Sequence, residues 1–113
     1  MTKIYHNPRC SKSRQGVKIL ENSGKPFEIV KYLDDTLSAK ALTELIALLG
    51  IEPIALVRKN EAIWKSDFKG KTLTDAEVID AMVNNPKLIE RPIVVNGNKA
   101  VIGRPPQLIL DII

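Results

Sequence analysis

The chain has 113 residues, with 17 basic and 13 acidic side chains for a net charge of +4, and it contains one cysteine and one histidine. That length fits a single domain, residues 1–113, able to bury a core without disulfide or metal staples. A lone cysteine excludes an internal disulfide, no metal site is expected, and apolar runs such as LIALLGI at 45–51 fall far short of the ~18 residues a membrane span requires. Lys3, Arg9, Lys12, Arg14 and Lys18 break up any leader-like apolar run near the start, so a reducing, cytoplasmic setting is expected. The positive charge suits nucleic acid, an anionic small molecule or solubility alone. Five aromatic residues without an RNP-like cluster count against nucleic acid.

In chain order, KIY at 3–5 predicts a short strand that stops at His6-Asn7-Pro8. SKSRQGVKILEN then predicts a helix carrying Val17, Ile19 and Leu20, ended by Ser23-Gly24. PFEIVKYL at 26–33 reads as a second strand with Phe27, Ile29 and Tyr32, parallel to the first because a helix joins them. Ser38 caps a helix with Leu42, Leu45, Ile46 and Leu49 on one face and Gly50 at its end. Pro53 opens a shorter helix ending near Arg58. The Thr74 to Glu77 spacing is that of a capping box, and Val78, Ile79, Met82 and Val83 mark the helix behind it. IVV at 93–95 and KAVI at 99–102 flank Asn96-Gly97, a pair able to take the positive φ angles of a tight hairpin. Pro105-Pro106 opens a terminal helix. The order β-α-β, a helical middle, then β-β-α predicts an α/β fold with a mixed sheet and helices on its faces.

The chemistry concentrates in YHNPRCSKSR at 5–14. A thiolate, not a thiol, is the nucleophile, and a cysteine with the usual pKa of about 8.5 is mostly protonated at neutral pH. Cys10 stands where loop becomes helix, so backbone N–H groups and the helix dipole lower that pKa. Arg9, Lys12 and Arg14 add cationic charge. His6 either tunes the thiol or structures the loop. The same helix start accepts an anion. A phosphatase-type C-x5-R loop is excluded, since the sixth residue beyond Cys10 is Gly16. A dithiol C-x-x-C is excluded because Ser13 holds its second position. If Cys10 does redox work, an external thiol must complete the cycle.

These stretches, with LVRKN at 56–60, NNPKLIERPIVV at 84–95 and IGRPP at 102–106, resemble the glutaredoxin-linked arsenate reductases, the ArsC family, related to Spx. The resemblance implies a thioredoxin-like fold: a four-stranded mixed sheet with flanking helices and a helical insertion. It implies Cys10 as nucleophile, Arg58, Arg91 and Arg104 as oxyanion-binding arginines, and His6, Asn7 and Ser13 around the thiol loop. It also implies a cis peptide before Pro92. In the reaction it implies, Cys10 attacks arsenate, glutathione attacks the adduct as cosubstrate, and glutaredoxin resolves the mixed disulfide, with no bound cofactor. Arg9 and Lys12 make the rim of this pocket more basic than in the family's best-studied branch. Two other functions are compatible with the residues: a glutathione-dependent thiol oxidoreductase of another substrate, and an Spx-like regulator binding RNA polymerase, although Spx proteins usually carry the C-x-x-C that Ser13 removes. A monomer is expected, with no nucleic-acid or membrane partner.

Overall fold

The computed structural model describes residues 2–113, and its backbone contacts divide the chain into two compact units. The first runs to Asp35 and resumes with Arg91–Ile113; the second is Thr36–Glu90.

The first unit contains β1 (Thr2–Tyr5), α1 (Ser11–Ser23), β2 (Phe27–Val30), β3 (Ile93–Asn96) and β4 (Lys99–Ile102). They form one four-stranded mixed sheet in the order β2-β1-β3-β4. β1 and β2 are parallel, with Ile4 opposite Ile29, while β3 runs antiparallel to both β1 and β4. Ile4, Leu20, Val94 and Ile109 form the buried cluster beneath α1. β2 departs from the expected alternation: it is an edge strand, and its Ile29 is 42% exposed. Tyr32, expected within that strand, lies beyond its end and is buried.

α1 buries Leu20 of its three expected apolar residues, together with two small ones. Ser13, Gly16 and Leu20 are its buried residues, whereas Val17 and Ile19 only partly pack. Small size at Ser13 and Gly16 brings the helix down onto the sheet. A Cβ at Gly16 would come within 3.1 Å of Ile4, Ile109 and Pro92 side-chain atoms, tighter than ordinary contact. The hairpin is displaced by one residue from the expected turn. Asn96 pairs with Lys99, so the two central residues are Gly97 and Asn98, and only Gly97 takes a positive φ, 62°. The terminal helix is a 3-10 segment, Pro106–Asp111, rather than an α-helix. The consecutive prolines at its start lack backbone N–H donors, and six residues leave little room for an i to i+4 ladder.

The second unit holds α2 (Ala39–Leu49), α3 (Ala62–Asp67) and α4 (Asp75–Asn84), with 3-10 turns at Pro53–Leu56 and Pro86–Leu88. Ser38 caps α2 by accepting the Ala41 N–H, and Gly50 ends it in the left-handed conformation. The helix expected to end near Arg58 stops at Leu56, and the chain then turns extended. Val57 and Ile89 form an isolated antiparallel bridge, with the Arg58 N–H donating to Leu88 O at 2.7 Å and the Glu90 N–H to Leu56 O at 2.9 Å. Arg58 is therefore fixed by a two-chain ladder rather than a helix end. No helix among the described residues is long and apolar enough to cross a membrane.

Candidate active site

The loop between β1 and α1 is wound around Asn7. Its carbonyl accepts the Cys10 N–H at 3.0 Å, and its side-chain Oδ1 accepts the Arg9 N–H at 3.0 Å. Its own N–H donates to Ser13 Oγ at 3.0 Å. Asparagine suits this work because its short amide satisfies backbone groups two residues on. Ser13 Oγ also meets His6 Nδ1 at 2.7 Å. Burial, then the charges of Lys31 and Arg14, lower the His6 pKa below its ordinary value, against the opposing pull of Ser13. Ser13 is fully buried, and its Oγ is satisfied by His6 Nδ1 and the Asn7 N–H. His6 is thus a neutral member of the loop network, not a cation beside the thiol.

This network delivers Cys10 to the N-cap of α1, with extended backbone angles of φ −96° and ψ 123°. The sulfur makes no capping hydrogen bond of regular geometry, and no acidic residue occupies the first helical turn. Burial pushes the thiol pKa up, yet the Ser13 N–H, the hydrogen bond and charge of Arg91, and the Lys12 N–H together outweigh it. The net result is a thiol below its ordinary pKa.

Two of the three assigned arginines converge here. Arg104 Nη2 lies 3.5 Å from Cys10 Sγ, and its Nε–H donates to the Arg91 carbonyl at 2.8 Å. Arg104 therefore reaches the sulfur while holding the backbone from which Arg91 springs. Arg91 is the charged group that lowers the thiol pKa, by a hydrogen bond and by its charge, while Arg104 meets the sulfur at an ordinary N–H to sulfur hydrogen-bond distance. The Arg91–Pro92 bond is cis, and so is Arg104–Pro105, which no sequence feature had indicated. Pro92 packs between two glycines: a Cβ at Gly16 would meet its Cγ at 3.1 Å and one at Gly103 at 2.9 Å.

Arg58 belongs to the second unit, where its Nη1 pairs with Glu90 Oε1 at 2.7 Å. Glu90 is the partner that sequence reading missed. Its only signal was its place between the short ladder and Arg91, which nothing in a single sequence marks as special. Of the nearby cations, Arg14 donates to the Pro8 carbonyl at 3.0 Å, and Arg9 and Lys12 are exposed. Among the described residues no group of three or more His, Cys, Asp or Glu side chains gathers to hold a metal.

A lone thiol at the start of the first helix of a four-stranded mixed sheet, with arginine from the cis-proline strand set against its sulfur, defines a single-cysteine protein of the thioredoxin-like class. Residues 5–112 match the ArsC family, and the chain belongs to it. It is 45% identical to YfgD of Escherichia coli K12, itself uncharacterized, over 98% of this chain and 95% of that one. It is 42% identical to an arsenate reductase of Haemophilus influenzae, over 97% of each. Among solved structures it is similar to an arsenate reductase from Vibrio cholerae, with a TM-score of 0.95 and 43% identity over 99% of this chain and 97% of the other.

Proposed function

We propose that the protein is an arsenate reductase in which Cys10 is the nucleophile and glutathione and glutaredoxin supply the reducing equivalents. The observation that carries this reading is the Cys10 thiol, held below its ordinary pKa by backbone N–H groups and Arg91, with Arg104 3.5 Å from its sulfur. A thiolate of this kind attacks arsenic of arsenate and expels water, giving a sulfur–arsenic bond. The guanidinium groups of Arg91 and Arg104 hold the oxyanion and balance charge on its oxygens. A second thiol is then required, because the chain offers Cys10 as its one cysteine. Glutathione fills that requirement, and glutaredoxin regenerates the thiol by disulfide exchange.

The test is NADPH oxidation in the presence of arsenate, glutathione, glutaredoxin and glutathione reductase. Native protein is expected to show arsenate-dependent turnover and Cys10→Ser none above the uncatalysed rate. Equal rates for the two proteins would refute the assignment.

A further inference from the structure

A cleft of about 360 Å³ is lined by the loop that leads into Cys10, from His6 to Arg9, and by Lys31, Leu33 and Asp34 beyond the end of β2. Its volume lies within the range that accepts a small molecule. It opens past the carboxyl ends of the parallel strands β1 and β2, where open α/β sheets place their ligands. Arg91 and Arg104 do not line it, so it is separate from the oxyanion seat. The lining carries two cations, Arg9 and Lys31, and one carboxylate, Asp34. His6 adds a ring whose Nδ1 is paired with Ser13 Oγ at 2.7 Å.

We propose that this cleft is the docking site of the cosubstrate thiol, a zwitterion with two carboxylates and one ammonium, which is the charge set of glutathione. Arg9 and Lys31 take the carboxylates, and Asp34 takes the ammonium. The proposal rests on the arsenate reductase reading for its chemistry, though not for binding itself. Arg9 is bonded to Cys10, so their Cα atoms are about 3.8 Å apart, while an extended tripeptide spans ~10 Å. A thiol in the middle of such a molecule therefore comes within reach of the Cys10 adduct. Its thiolate attacks Cys10 Sγ; a sulfur–sulfur bond forms and the sulfur–arsenic bond breaks. The electron pair of the broken bond stays on arsenic, reducing it from As(V) to As(III), while the two sulfurs are oxidised to the mixed disulfide. The proton from the incoming thiol passes to an arsenic-bound oxygen, and arsenous acid leaves.

The test uses S-methylglutathione, which has the charges but no thiol, titrated against the full chain by amide NMR. Saturable shifts at Asn7, Arg9, Lys31 and Asp34 are expected. Binding should weaken about tenfold in Lys31→Glu, and by a similar factor when the ligand's carboxylates are esterified, the loss expected for a charge-assisted contact. No shifts at these residues, or shifts indifferent to both changes, would overturn the proposal. In turnover, Lys31→Glu should raise the KM for glutathione about tenfold while sparing the KM for arsenate; an equal rise in both would place Lys31 in the oxyanion seat instead. Absence of arsenate turnover with S-methylglutathione binding intact would remove the arsenate reading and leave the cleft assigned.

Discussion

The N-termini of α1 and α4 are built in opposite ways. At α4, Thr74 Oγ1 accepts the Glu77 N–H at 3.2 Å and Glu77 Oε1 accepts the Thr74 N–H at 3.0 Å, while Asp75 and Glu77 put acidic charge into the first turn. Every local device there satisfies the helix start and balances its dipole. At α1 the cap is Cys10, the sulfur makes no regular capping bond, and the first turn has no acid. The positive potential is left for the thiolate, and Arg91 adds to it. One helix start satisfies its own backbone, and the other lacks a side-chain cap beside a thiol held below its ordinary pKa.

The strongest way to break this contrast is to remove Arg91. Arg91→Ala should raise the alkylation pKa of Cys10 with iodoacetamide, since Arg91 supplies both a hydrogen bond and a charge that lower it. Turnover should fall by about a hundredfold or more, the usual loss for a group that stabilises charge at the reacting centre. Arg104→Ala should move the thiol pKa less, because the groups that lower it are Arg91 and the backbone N–H groups of Ser13 and Lys12. If Arg91→Ala leaves the alkylation profile unchanged, the helix N-terminus alone sets the thiolate.

The parts of this site that were legible in the sequence are those written locally. Cys10 between turn formers and a helix, the Thr74 to Glu77 spacing and the order of strands all depend on near neighbours, and the chain follows them. What was missed depends on packing across the sequence. No local feature marks Gly16 or Gly103, yet a Cβ on either would press on the Pro92 ring. Of the apolar residues Val17, Ile19 and Leu20, Leu20 is buried, but hydrophobicity does not reveal that Ser13 is also inside, where it receives Asn7 and pairs with His6. Asn96-Gly97 marked the hairpin correctly but not its centre, because register is fixed by pairing with β4. The Arg58–Glu90 pair joins residues 32 apart in sequence, beyond any local pattern.

Thr74→Ala gives the next effect in size and tests the α4 side of the contrast. Loss of the capping hydroxyl should destabilise the protein by about 1 kcal/mol in denaturant unfolding, with the slope unchanged. Glu77, whose carboxyl is held below its ordinary pKa first by the Thr74 backbone and then by the Thr74 side chain, should titrate higher in the variant by NMR. The alkylation pKa of Cys10 should stay where it is. A neutral stability change would mean that the capping box is decorative and that the two helix starts differ less than their hydrogen bonds imply.

The smallest effect is the most direct comparison, because Cys10→Ser gives α1 the cap that α4 already has. Serine at a position with these extended angles can accept an N–H from the first turn, so at acidic pH the variant should be more stable than the native protein by about 0.5 kcal/mol. The sign must change with pH. Cys10 has a folded pKa below its unfolded one, so the native protein gains stability as pH rises through the folded pKa, fully so above the unfolded value, and loses it again as pH falls. His6, neutral in the fold, affects both proteins alike as acid protonates it in the unfolded chain. Urea midpoints measured from acid to mildly alkaline pH should therefore start in favour of the serine variant and converge or cross. Parallel midpoints would show that the fold does not stabilise the thiolate, and the contrast between α1 and α4 would lose its chemical meaning.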